Sequence, residues 1–194
     1  MLPGESPFTN AAELRELPFA ADGSFAWLIK TPTHKEWAIG ERQVQEIPSQ
    51  LASVIASARS HGVALPEEFV TFIGTPTLHD HVRSTSACFL DVAEAVLPFE
   101  NGHLVRFLAD QQGCGYWYLY VEEGDHCVVG SPDFFDADDM NDEDDLDEAS
   151  FQFCGESFVA FLMRFWLENE VGFAGFDSTP MPNVNRRFID LYSQ

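Results

Sequence analysis

Positive charge is scarce in this chain: Lys and Arg number 10 against 32 Asp and Glu, giving a formal net charge of -22 at pH 7. None of those cations lies between Phe107 and Met163, a stretch that holds nearly half of the acids. Such a field repels nucleic acid and anionic membrane and draws in basic partners with an on-rate that falls with salt. It argues against nucleic-acid and membrane binding, although an acidic balance also serves plain solubility. Cysteine is sparse too. Cys88, Cys114, Cys127 and Cys154 form no C-x-x-C pair, so buried thiols in a reducing cytoplasm fit better than a disulfide framework. No run of about 18 apolar residues exists to span a membrane, and MLPGESPFTNAAEL has neither the basic nor the apolar region of a secretory leader. A cytoplasmic location is expected. The phosphate-loop, G-x-G-x-x-G, G-x-S-x-G and H-E-x-x-H motifs are all absent.

What is present suits a single compact domain. The chain has 194 residues, 45% of them hydrophobic, and 18 phenylalanines supply an aromatic core. Residues 1–24 read as an irregular arm, and FAWLIK (25–30) as an extra strand, so 1–47 is expected to pack on the main domain. Leu51, Val54, Ile55 and Ala58 follow the spacing of a half-buried helix, with Ser49 as its N-cap and Gly62 as its terminator. Pro66-Glu67-Glu68 opens a second helix whose apolar face is Phe69, Phe72 and Ile73. Residues 84–92, 103–110, 116–121 and 126–130 are short, β-branched or aromatic runs separated by turn residues, which predicts an antiparallel meander. Phe158, Phe161, Leu162, Phe165 and Trp166 then mark a helix with Gly172 beyond its end. The fold class expected is α+β: a meander sheet with helices packed on one face in two layers, spanning 48–176, with an acidic insertion at 133–148 and a tail at 177–194.

The stretch GCGYWYLYVEEGDHCVVGSP (113–132) decides between an enzyme and a binding surface. A Cys114 nucleophile needs an imidazole, and His126 is the nearest in sequence. If the two flanking strands pair across 122–125, His126 faces Tyr120 or Val121 and Cys114 lies about 20 Å away by strand rise. That spacing disfavours a dyad. Strand alternation instead sends Trp117, Leu119 and Val121 to the core and Tyr116, Tyr118 and Tyr120 to the other face. A tyrosine row on an open face suits recognition, and it would be lost if the N-terminal arm covered it. His79-Asp80-His81 lacks further ligands for a metal and reads as a polar loop. The run from Asp136 resembles a calcium loop only in part, because Met140, Asn141 and Asp147 stand where a ligand, a glycine and a glutamate belong. No metal and no cofactor are expected.

Leu65-Pro66 with Phe69 and Phe72, Trp117 in a central strand with Gly124 in the turn after it, and Ser157-Phe158 with Phe161-Leu162 occur in an order that resembles the SUKH superfamily. That superfamily includes yeast cell-wall assembly regulators and many bacterial toxin-immunity proteins. The resemblance spans about residues 60–170. It departs where Gly74-Thr75-Pro76 replaces the usual Asn-Gly, and in its long N-terminal region and acidic insertion. The resemblance implies an α+β recognition scaffold with no catalytic residues. The expected function is therefore a non-catalytic protein-binding domain, an immunity-type antagonist of a basic, nuclease-like toxin. It would bind through Tyr116, Tyr118 and Tyr120 together with Asp138, Asp139, Asp142, Asp144 and Asp145. The alternatives are a cytoplasmic scaffold or regulatory protein unrelated to toxins, and an enzyme centred on Cys114, His126 or His103.

Overall fold

The computed structural model describes residues 16–42, 44–137, 150–177 and 179–193. Within them the chain is α+β: five α-helices and one six-stranded antiparallel sheet, with the helices on one side. Helix α1 (Ile47–Ser60) carries Pro48 in its first turn and ends at Gly62, whose φ of 74° is the left-handed conformation that glycine adopts without steric cost. Ser49 sits inside the helix rather than capping it, its hydroxyl donating back to Glu46 O at 2.8 Å. Helix α2 (Glu67–Ile73) begins directly after Pro66 and buries Phe69, Phe72 and Ile73, as the apolar spacing predicts. A short helix α3 (Pro76–His79) follows.

The strands are β1 (Phe89–Leu90), β2 (Leu97–Phe99), β3 (Gly102–Ala109), β4 (Tyr116–Glu122), β5 (Asp125–Ser131) and β6 (Gln152–Gly155). They run in the order β1-β3-β4-β5-β6, with β2 also paired to β3. The meander is there, but 84–92 supplies only two strand residues. Thr85 instead turns to Asn169, whose side-chain oxygen accepts from both Thr85 N (2.6 Å) and Thr85 Oγ1 (3.0 Å). In β3 the register slips between Arg106 and Leu108, leaving Phe107 as an extra residue. This bulge turns Phe107 and Leu108 toward the same core, which strict alternation forbids.

Helix α4 (Phe158–Asp177) packs across β5 and β6. Phe158 is fully buried and meets Phe69, Phe72 and Phe107 edge-on, with centroids 5.1–5.6 Å apart. The expected helix with one buried face is in fact buried nearly all round, because further chain covers its other side. Trp27 lies 5.3 Å from Trp166, and Phe19 stacks on Trp27 at 5.7 Å. The segment 25–30 reaches Trp166 as a turn of 3-10 helix, Leu28–Lys30, not as a strand. The expected tail contains helix α5 (Arg186–Tyr192), which buries Phe188, Ile189 and Tyr192 in the main core. Gly172 lies inside α4 rather than past its end. Its backbone passes so close to Thr85 that a Cβ would sit 3.1 Å from the Thr85 methyl. Among the described residues no helix is long and apolar enough to cross a membrane.

Candidate functional site

The face of the sheet turned away from the helices is where sequence reasoning places the tyrosines, and β4 delivers them there. Trp117, Leu119 and Val121 join the helix-side core, while Tyr116, Tyr118 and Tyr120 join a second apolar cluster built on Leu97, Leu104 and Phe135. The expected open row is not open. Tyr118 is 1% exposed, and Tyr116 and Tyr120 are half-buried. Among the described residues the cover is the chain leaving β5 together with β2 and Phe151: Phe134 meets Tyr116, Phe151 meets Tyr118, and Phe99 meets Tyr120.

A polar clasp fixes that cover. Arg106 and Tyr118 face each other across β3 and β4. The Tyr118 hydroxyl donates to Asp133 O at 3.1 Å and accepts from Phe135 N at 2.8 Å. Arg106 donates to Phe135 O (3.1 Å), Asp136 (2.9 Å) and Asp91 (2.9 Å), with its guanidinium 4.1 Å from the Phe134 ring centroid. Burial works against the Arg106 charge, but Asp91 and Asp136 outweigh it and hold the pKa above the ordinary value. Burial likewise pushes the Tyr118 phenol upward, so it stays protonated as a donor. The cation at the other end of the acidic stretch is also spent: Arg164, 4% exposed, binds both carboxylate oxygens of Glu156, whose pKa this pairing lowers.

Beyond the clasp, acids dominate the exposed surface. The β4–β5 turn presents Glu122, Glu123 and Asp125 to solvent around Gly124, whose φ is 80°, and Glu100 is exposed at the β2–β3 turn. Among the described residues no Lys or Arg pairs with any of these four. Asp138, Asp139, Asp142, Asp144 and Asp145 lie outside the described residues, with most of the 133–148 insertion. Asp136, the first position of the partial calcium loop, is bound to Arg106. Among the described residues no three His, Cys, Asp or Glu side chains are grouped to hold a metal.

The thiols and imidazoles do not converge. His126 pairs with Val121 at one end of the hairpin, and Cys114 lies beyond the Tyr116–Ser131 pair at the other. The exposed Cys114 Sγ lies 3.7 Å from Gln112 O. Burial pushes Cys88 and Cys154 up to about 12 and Cys127 up to about 11, so all three are protonated near neutrality. His126 sits 3.2 Å from Glu68 of α2, and the His103 ring packs on His61. His79, its pKa lowered by burial, donates from Nε2 to Phe72 O, while His81 turns to Thr31.

Sequence reasoning missed the Arg106–Tyr118 clasp and a buried Arg83–Glu170–His34 cluster on α4. The clasp joins residues 15 to 30 apart in sequence, and Arg83 lies 87 residues from Glu170. The one local signal was an arginine inside the apolar run HLVRFLA, which at that position needs an acid to be buried. Comparison with protein-family models, curated proteins and solved structures gave no match to this chain.

Proposed function

We propose that this chain is a SUKH-type binding domain without catalytic chemistry, an immunity-type antagonist that holds a basic, nuclease-like toxin against the acidic hairpin end of its sheet. The observation that carries this reading is that both cations bracketing the acidic stretch are consumed internally, Arg106 by Asp91 and Asp136 and Arg164 by Glu156. The charge of Glu100, Glu122, Glu123 and Asp125 is left for a partner. Carboxylates on a rigid hairpin suit a channel that binds phosphates, and their long-range field accelerates encounter. The separation of Cys114 from His126 at opposite ends of the hairpin, and the burial that keeps Cys88, Cys127 and Cys154 protonated, favour binding over cysteine chemistry. Tyr116, Tyr120 and the exposed Phe134 supply aromatic edge beside the charge, whereas Tyr118 acts from beneath by holding the cover in place.

The test mixes the protein with a basic nuclease encoded beside it and follows association at about 50 mM and about 500 mM salt, where screening lengths differ roughly threefold. A complex is expected whose association slows steeply with salt, and a Glu122→Lys/Glu123→Lys/Asp125→Lys variant should bind at least about tenfold more weakly, or about 1.4 kcal/mol. Absence of a complex in low salt overturns the reading.

A further inference from the structure

Histidines gather at the hairpin end of the sheet. His103 on β3 and His126 on β5 both pair with Val121 of β4, so the two imidazoles flank it on the face that Val121 gives to the helix-side core. His61, the residue that closes α1, brings a third ring to this end, with its centroid 5.5 Å from that of His103 and the planes at 62°. His126 is engaged elsewhere: its Nε2 lies 3.2 Å from Glu68 of α2. The pair that remains is His61 and His103.

Neither ring of that pair is sealed off, since His61 is exposed and His103 half-buried. His61 Nδ1 lies 2.9 Å from the Ser57 carbonyl oxygen, which can only accept, so Nδ1 carries the proton and Nε2 keeps a free lone pair. The Ser60 hydroxyl gives its own proton to the same carbonyl, so it too can only accept from Nδ1. Metal-binding histidines are commonly held in this way, one nitrogen anchored to a backbone oxygen and the other presented outward. Among the described residues the His103 ring has no hydrogen-bond partner, and its ring contact is with His61. Partial burial, and then His61, hold the His103 pKa below its ordinary value, which keeps the ring neutral at neutral pH.

We infer that His61 and His103 form a two-histidine site for a transition-metal dication of the nickel or zinc class, with water completing the coordination. A tetrahedral ion about 2.1 Å from one nitrogen of each ring sets the ring centres about 5 Å apart. The observed 5.5 Å is close to that, and small ring rotations at an exposed position close the pair on an ion. With two protein ligands the site is compatible with the absence of any three-ligand group among the described residues. Nitrogen donors favour nickel and zinc, whereas magnesium, calcium and manganese favour carboxylate and water. The exposed Glu100, Glu122, Glu123 and Asp125 at the same end of the sheet add a field that concentrates any dication without selecting among them. The site stands whether or not the acidic turn holds a toxin.

The test titrates the full chain carrying Cys114→Ser, which removes the exposed thiol as a rival ligand, with nickel chloride and then manganese chloride at about pH 7.5, where imidazole is mostly neutral. Calorimetry reads affinity, and the ring C–H resonances of the histidines read location. Nickel should bind at one equivalent with a dissociation constant below about 1 mM. Its paramagnetism should broaden the His61 and His103 signals before those of His34, His79, His81 and His126. Manganese should bind at least about tenfold more weakly. His61→Gln, a change at an exposed position, should weaken nickel at least about tenfold, or about 1.4 kcal/mol, and excess magnesium should leave nickel bound. The proposal is overturned if nickel fails to bind in that range, if other histidines broaden first, if manganese binds as tightly, or if His61→Gln keeps the parent's affinity. Displacement of nickel by magnesium also overturns it, and assigns the ion to the acidic turn.

Discussion

Replacing Tyr118 with phenylalanine removes one oxygen atom and keeps the ring in its cluster, so the effect isolates the hydroxyl. That oxygen accepts from the Phe135 amide at 2.8 Å and donates to Asp133 O at 3.1 Å. Asp133 is exposed, and water replaces its lost donor. Phe135 is 8% exposed, so its N–H is left buried without an acceptor, at about 1–3 kcal/mol. For a domain of this size each kcal/mol lowers the melting temperature by about 2–4 °C, so Tyr118→Phe should lower it by about 2–12 °C. The control is Tyr120→Phe. Its hydroxyl makes only a 3.5 Å contact with Glu122 at the surface, and the change should stay within about 0.5 kcal/mol. Thermal and denaturant unfolding measure both variants, and hydrogen exchange at the Phe135 amide should speed up in Tyr118→Phe alone. Equal melting temperatures for the two variants, with unchanged Phe135 protection, would refute the clasp and return Tyr118 to the status of an ordinary face residue.

Two further expectations concern charge and thiol chemistry. Glu170, 7% exposed in its side chain, opposes burial with bonds from His34 and Arg83, and its folded pKa lies below the ordinary value. A depressed carboxylate pKa contributes stability above the unfolded value of about 4.3 and loses it as pH falls through the folded one. Glu170→Gln should therefore cost about 3 kcal/mol at neutral pH, the lower end for a broken buried pair, and the gap to the parent should shrink below about pH 4 in denaturant titrations. A gap constant with pH would refute the assignment. Alkylation at neutral pH should modify the exposed Cys114 first, with Cys88, Cys127 and Cys154 labelled only on unfolding. Labelling of Cys114 much faster than free cysteine, read by mass spectrometry, would favour the enzyme reading.

The helices α1 and α2 and the strands β3, β4 and β5 were legible because their apolar periodicity is local and strong. The alternation through Tyr116 to Val121 sorted each side chain to its correct face of the sheet. What alternation does not report is whether a face is covered. The cover comes from residues 133–137 and from Phe99 and Phe151, and nothing periodic announces a loop that lies flat on a sheet. The same limit explains FAWLIK: its apolar run signals burial, but a strand needs a neighbouring edge, and here the neighbour is the side of α4. Gly172 read as a stop because glycine often ends helices, whereas inside α4 it serves the close approach to Thr85.

By composition and pattern alone the sequence determined that the chain is α+β, acidic and aromatic-cored, with its positive charge excluded from the middle. These are sums and short-range periodicities, and they survive without knowledge of what touches what. The tertiary structure decided the burial of Tyr118, the neutralisation of Arg106 and Arg164, and the packing of Trp27 against Trp166 on α4. Each depends on bringing distant residues within a few ångströms, and short-range contact energies then convert that placement into a clasp, a bare acidic turn and a packed tryptophan pair.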